Sequence, residues 1–82
     1  MPSDYEGFDV YVQNADGSRT PLASQTVKVY DVTNNDDLSD LTTDSVGHIA
    51  GGTFASVAVG TVVRFRVENY LGLSGAIEQT TT

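Results

Sequence analysis

The feature that most constrains this chain is a pair of valine-rich segments in which apolar and polar residues alternate. Residues 25–32 place Val27 and Val29 on one side of an extended chain, and residues 61–69 repeat the pattern around Phe65. A period of two is typical of a β-strand with one buried face. Eleven valines and ten threonines among 82 residues also favour strands, because β-branched side chains pack well on a pleated sheet. The sequence therefore predicts two core strands and almost no helix.

Shorter alternating runs and turn signals extend this pattern over most of the chain. Residues 8–13 alternate and end in an Asx-Gly turn. Residues 41–50 are predicted to form a hairpin, whereas residues 33–40 are polar enough to be predicted as a loop. A turn at residues 70–72 is expected to lead into a last edge strand over residues 75–80.

The length and the spacing of these segments predict one small all-β domain. Eighty-two residues suffice for a single core, and turn signals about every 8–12 residues are typical of a sandwich. We therefore expect a small antiparallel Greek-key β-sandwich of about seven strands, immunoglobulin-like in its layout, that spans residues 1–82. Residues 1–6 and 80–82 are polar and are expected to be loose ends.

The charge and the hydropathy of the chain argue against several classes of partner. Eleven acidic and four basic residues give a formal charge of −7, which disfavours nucleic acid and anionic membrane surfaces. No apolar run approaches the roughly 20 residues of a membrane-spanning helix. The chain has no cysteine and therefore no disulfide or thiolate site. We expect no nucleic-acid partner, no membrane insertion and no cofactor.

Five segments follow one another in an order that is typical of a known family. They are Asp16-Gly17, Pro21-Leu22-Ala23, residues 27–31, residues 42–47 and residues 59–67. In this order the chain resembles the carboxypeptidase regulatory-like domains, which belong to the transthyretin-like or Cna-B-like (prealbumin-type) folds. The resemblance implies a seven-stranded, two-sheet sandwich that is generally non-catalytic. Its members are stalk, spacer or adhesin modules of surface proteins, or accessories beside catalytic domains.

Aspartates are concentrated between the two valine-rich segments. Five carboxylates lie within fourteen residues: Asp31, Asp36, Asp37, Asp40 and Asp44. Calcium prefers six to eight oxygen ligands, so this predicted loop has suitable atoms. The D-x-[DN]-x-[DN]-G pattern of calcium loops is missing, however, and Asx residues also build ordinary turns. The sequence leaves two interpretations open, a solvated loop and a calcium site.

Outward-facing side chains on the predicted strands form a second candidate surface. They are Tyr11, Tyr30, Arg64 and Arg66. The two tyrosines could contact a carbohydrate or a protein, or could pack across strands on an exposed sheet. The two arginines could pair with acids such as Asp9 or Glu68, or could present a basic stripe to a partner.

The sequence points to a structural role rather than to catalysis. His48, the single histidine, flanks a turn and is predicted to be an exposed strand residue. We find no nucleophile–base pair, no His cluster with metal-ligand spacing and no phosphate loop. The expected function is a non-catalytic module that makes protein–protein contacts, with a partner or with further copies. The alternative is an accessory module that binds carbohydrate or calcium.

Two extracellular settings fit this expected function. The family resemblance favours a module of a cell-surface protein. The short length and the Met start favour a small virion component that decorates a phage shell or fibre.

Overall fold

The chain folds into short antiparallel β-strands. The computed structural model describes residues 2–70 and 73–82, and these residues form ten strands and no helix. In chain order the strands are β1 Ser3–Tyr5, β2 Phe8–Asp9, β3 Tyr11–Gln13, β4 Arg19–Pro21, β5 Thr26–Asp31, β6 Asp36–Thr42, β7 His48–Ile49, β8 Gly52–Phe54, β9 Val62–Tyr70 and β10 Leu73–Thr80. The predicted all-β class is confirmed. The turn predicted at residues 70–72 includes positions 71 and 72, which lie outside the described residues.

The largest sheet has four strands in the order β10-β9-β5-β6, all of them antiparallel. The predicted alternation is confirmed on its two central strands, where Val27, Val29, Val63 and Phe65 are at most 3% exposed. Lys28 and Arg66 are exposed on the opposite face. β9 has nine residues and is the longest strand that the structure describes, as the sequence predicts.

The remaining described strands form three two-stranded sheets, which are β1-β8, β2-β7 and β3-β4. The segment of residues 3–13 passes through all three sheets. Tyr5 and Phe8 from this segment pack on Phe65 of β9, with ring centroids 5.6 and 4.9 Å away. Ile49 and Val57 are buried in the same core. Phe65 therefore links the small sheets to the large one.

The loop predicted over residues 33–40 is wrong. Residues 36–42 form strand β6, and only residues 32–35 form the turn between β5 and β6. Asn35 adopts a positive φ of 52°, which asparagine tolerates better than most residues. Asn34 donates from its backbone N and from Nδ2 to the Asp31 carboxylate, at 2.9 and 2.8 Å. These bonds close the hairpin that leads into β6.

An irregular register explains why β6 was not predicted as a strand from the sequence. Val27 lies opposite Leu41 and Val29 lies opposite Leu38, so three residues on β5 (27–29) span four residues on β6 (38–41). An extra residue of this kind is a β-bulge. Both leucines pack against the core, but their spacing of three breaks the alternation that predicts a strand.

The hairpin predicted over residues 41–50 is wrong, because β6 pairs with β5 and β7 pairs with β2. The turn between β6 and β7 depends on a glycine with positive φ. Gly47 has φ 75°, and a Cβ at this position would lie 2.7 Å from the carbonyl oxygen of Val10. The backbone N of Val10 donates to the Gly47 carbonyl at 2.7 Å. This close approach joins the turn to the N-terminal segment, so only glycine fits here without strain.

The chain ends are hydrogen-bonded into the fold, so the loose ends expected at residues 1–6 and 80–82 are wrong for the described residues. Residues 3–5 form β1, and Thr81 is only 2% exposed. The backbones of Asp4 and Thr82 exchange two hydrogen bonds of 2.8 and 3.1 Å. The C-terminal residues thus tie the end of β10 to β1.

Candidate functional site

An apolar cleft of about 480 Å³ opens between the four-stranded sheet and the N-terminal segment. Its apolar lining includes Phe8, Val10, Val12, Phe65, Ala76 and Ile77. Asp9 is the one charged residue among the described residues that line it. The volume lies within the usual range of about 300–1,000 Å³ for ligand sites. The lining is therefore suited to apolar side chains.

A side-chain clasp joins the N-terminal segment to β10 near the cleft. The backbone N of Glu6 donates to Oε1 of Gln79 at 2.8 Å, and Nε2 of Gln79 donates to the Glu6 carbonyl at 2.9 Å. The paired backbones of Asp4 and Thr82 lie next to this clasp. The small sheets are thus fastened to the end of β10, and the cleft lies beside the preceding part of that strand.

Strand β10 forms the rim of the cleft and the edge of the four-stranded sheet. Ile77 lies opposite Phe65 in the β10–β9 register and is 46% exposed. Glu78, the neighbouring acid, accepts from Nε and Nη2 of Arg64 at 3.2 and 3.0 Å. An edge strand with an exposed apolar side chain is a natural contact for another chain. This edge and the cleft together form the candidate site.

Three of the four residues predicted as an interaction surface lie together on the outer face of the four-stranded sheet. Tyr30 pairs with Arg64 across strands, and Arg66 lies opposite Lys28. The Tyr30 hydroxyl donates to Oδ1 of Asn35 at 3.1 Å. Because Lys28, Arg64 and Arg66 are three of the four basic residues of the chain, this face concentrates its positive charge.

Acidic side chains offset much of that positive charge. Lys28 lies 3.1 Å from Asp40, and Arg64 pairs with Glu78. Asp9, one of the two acids considered from the sequence, lies 2.8 Å from Nδ1 of His48 on β7 rather than beside Arg64. The other acid, Glu68, has a side chain that lies outside the described residues. Exposed pairs of this kind contribute only about 0–1 kcal/mol each to stability. The charges of the outer face therefore matter more for which partner binds than for how stable the fold is.

Tyr11 lies apart from the other three predicted surface residues. It belongs to β3, lines the cleft and is 40% exposed. The guanidinium of Arg19 lies over its ring, 4.3 Å from the centroid. Tyr11 and Tyr30 therefore face different parts of the surface and do not form one carbohydrate platform.

The five aspartates of the predicted calcium site are dispersed. Asp31 is 4% exposed and is held by Asn34, whereas Asp40 pairs with Lys28. Asp36 and Asp37 lie on β6, and Asp44 lies in the turn before β7. Within residues 2–70 and 73–82 no group of three or more His, Asp or Glu side chains could hold a metal ion. The calcium site stays a prediction, and thermal melting with calcium and with a chelator would test it.

In two aspartates that lie in turns, the pKa of the side-chain carboxyl is lower than the ordinary value for aspartate. Backbone N–H groups of His48 and then Val46 donate to Asp44 and lower the pKa of its carboxyl from the ordinary value of 3.8. The hydroxyl of Ser18 and then its backbone N–H do the same for the pKa of Asp16. These carboxylates stabilise turns and need no ligand to explain their placement.

Sequence reasoning missed the cleft and the role of Ile77. Residues 75–77 read Gly-Ala-Ile, and this uncharged stretch in a predicted edge strand was the one available signal. Comparison with known protein families, curated proteins and solved structures finds no match to this chain. The described residues include no helix long and apolar enough to cross a membrane.

Proposed function

We propose that this chain is a non-catalytic structural module that makes protein–protein contacts in a larger assembly. The observation that carries the proposal is the edge of β10 over residues 75–77, which lies beside an apolar cleft. Ile77 is 46% exposed there, so covering the rest of its side chain is worth about half of the 1.5–3 kcal/mol that full burial gives. A partner that covers the rim and enters the cleft would gain this energy at one place.

We also propose that the architecture is a transthyretin-like β-sandwich of about seven strands, as in the carboxypeptidase regulatory-like domains. Two interruptions divide residues 3–13 into β1, β2 and β3, and one interruption divides residues 48–54 into β7 and β8. Counting each of these segments as one bent strand gives seven. The aromatic contacts between the small sheets and Phe65 support a two-layer arrangement. Such modules serve as surface-protein stalks, and the same architecture suits a virion component.

Site-specific photo-crosslinking tests the proposed contact. A benzophenone amino acid would replace Ile77 in one variant and Val46 in a control, both expressed in the cells from which the sequence comes. Val46 is 65% exposed, so it is at least as accessible as Ile77. We expect a discrete crosslinked product from position 77 and none from position 46. Equal products from both positions, or none from position 77, would contradict the proposal.

A carbohydrate-binding role is the second candidate, and one observation favours it. Tyr11 lies in the cleft lining together with Asp9 and Gln13, so one aromatic ring and two polar groups face the same space. Binding of this kind would disappear in a Tyr11→Ala variant on a glycan array. A signal that Tyr11→Ala removes and Ile77→Lys leaves intact would favour carbohydrate over protein as the ligand.

A further inference from the structure

We propose that β10 accepts an extended strand of a different protein, in which apolar side chains alternate and the net charge is positive. This inference rests on the proposed function and adds the chemistry of the partner. The receptor surface is defined as residues 75–77 of β10 with the apolar cleft beside them. Strand addition of this kind combines backbone hydrogen bonds with pockets for alternate side chains.

The backbone of β10 offers an edge that is poorly protected. Natural edge strands are blocked by inward-pointing charges, lysine, proline or bulges. Residues 75–80 contain neither lysine nor proline, and Glu78 is already engaged by Arg64. The described register of β10 against β9 is regular from Gly75 to Thr80, and its one irregularity lies before Gly75. An incoming strand could therefore pair with residues 75–78, which precede the clasp between Gln79 and Glu6.

The cleft determines which side chains the incoming strand would carry. Ile77 shares the core-facing side of the sheet with Phe65, which lies opposite it on β9. A strand added beside β10 extends the same pleat, so every second side chain would point toward the cleft. The lining there is apolar apart from Asp9 and a few polar groups. Alternate positions of the partner should therefore be valine, isoleucine or leucine.

Charge distinguishes a different protein from a second copy. The chain carries a formal charge of −7, so two copies repel each other at low ionic strength. Two of its four basic side chains, Lys28 and Arg64, are paired with acids. Asp9 is the one charged residue among the described lining residues, and its carboxylate lies 2.8 Å from Nδ1 of His48. A partner strand with lysine or arginine at its flanks is attracted, and salt should weaken its binding.

A random twelve-residue peptide library displayed on phage tests this proposal without knowledge of the natural partner. The baits are the wild-type protein, Ile77→Lys and the matched control Val46→Lys. Because Ile77 is 46% exposed and Val46 is 65% exposed, Ile77→Lys should lower the melting temperature more than Val46→Lys, so all baits are used well below their measured melting temperatures. We expect peptides with alternating apolar residues and a net positive charge. Ile77→Lys should reduce their enrichment at least tenfold, whereas Val46→Lys should not change it.

The remaining outcomes separate this proposal from the proposed function. Enriched peptides that are acidic, that lack alternation or that bind Ile77→Lys equally would overturn the strand-acceptor proposal, as would the absence of enrichment. Sedimentation velocity at rising protein concentration adds a second arm. Self-association that Ile77→Lys abolishes would overturn the claim of a different, basic partner, yet it would leave β10 as a protein contact. A Tyr11-dependent glycan signal without any protein contact would instead contradict the proposed function.

Discussion

The two edges of the four-stranded sheet, β6 and β10, differ in ways that separate folding from contact. β6 carries Asp36, Asp37 and Asp40 and contains a bulge, two features that keep edges from pairing with other chains. β10 has a regular register over Gly75–Thr80 and presents Ile77 beside an apolar cleft. The comparison teaches that three of the eleven acidic residues lie on the edge that also contains a bulge. The less protected edge is the one beside the cleft.

The largest expected effect concerns Phe65, on which the core behind both edges depends. Its ring contacts Tyr5, Phe8 and Phe54, and it is 2% exposed. Phe65→Ala should lower the free energy of unfolding by about 3–5 kcal/mol, enough to unfold much of a small domain. Urea unfolding measures this loss. Val59→Ala is the control, because Val59 is 60% exposed and should change stability by less than about 0.5 kcal/mol. Similar losses in the two variants would contradict the described core.

The next effect concerns the turn that holds the cleft wall. Gly47→Ala combines a strained positive φ with a Cβ only 2.7 Å from the Val10 carbonyl oxygen. It should cost about 2–3 kcal/mol. Gly17→Ala is matched in φ, at 90°, but its Cβ would meet nothing within 4 Å, so about 1 kcal/mol is expected. Thermal unfolding of both variants separates contact from strain, and equal losses would show that the close approach to Val10 has no effect.

Removing the acids of β6 should make that edge behave more like β10. The double variant Asp37→Thr with Asp40→Thr removes two charges and the Lys28 pair, which costs about 0–1 kcal/mol of stability. We expect a sedimentation coefficient that rises with protein concentration. The control, Asp4→Asn with Glu6→Gln, changes the net charge equally but leaves β6 intact. If the control associates as strongly, net charge rather than edge protection keeps the chain apart.

The smallest effect is the pH dependence from Asp44, in the turn that follows β6. Because its pKa is lower in the folded chain than the ordinary 3.8, its carboxylate stabilises the fold above that pH. The contribution decreases as the pH falls through the folded pKa. Asn cannot titrate, so Asp44→Asn should melt with a shallower loss of stability below about pH 4 than the wild type. An identical acid profile in both proteins would mean that Asp44 does not contribute to acid sensitivity.

Strands β5 and β9 could be predicted because alternate buried valines follow the period of a pleated strand without interruption. β6 could not, since its bulge places Leu38 and Leu41 three residues apart among acids. The calcium prediction depended on the same misassigned loop. In the fold, most of these carboxylates lie on a strand or accept hydrogen bonds within their own turns.

The cleft was beyond prediction for a different reason. The cleft forms where the N-terminal segment separates from β10. The nearby clasp joins Glu6 to Gln79, which are 73 positions apart in the chain. Local periodicity contains no information about such a contact. The sequence did predict an edge strand over residues 75–80 centred on Ile77, and the structure shows that the cleft lies beside it.

The central claim is that β10, and not β6, accepts a partner strand. Backbone amide exchange on a ¹⁵N-labelled protein tests it most directly, because it monitors both edge strands in one experiment. The protein would be titrated with a peptide selected on the wild-type bait, and exchange rates would be followed residue by residue. We predict new protection at alternate amides of residues 75–78, since alternate backbone groups of an edge strand point outward. The amides of residues 36–42 should keep their rates. Protection that develops on β6, or on neither edge, would contradict the account.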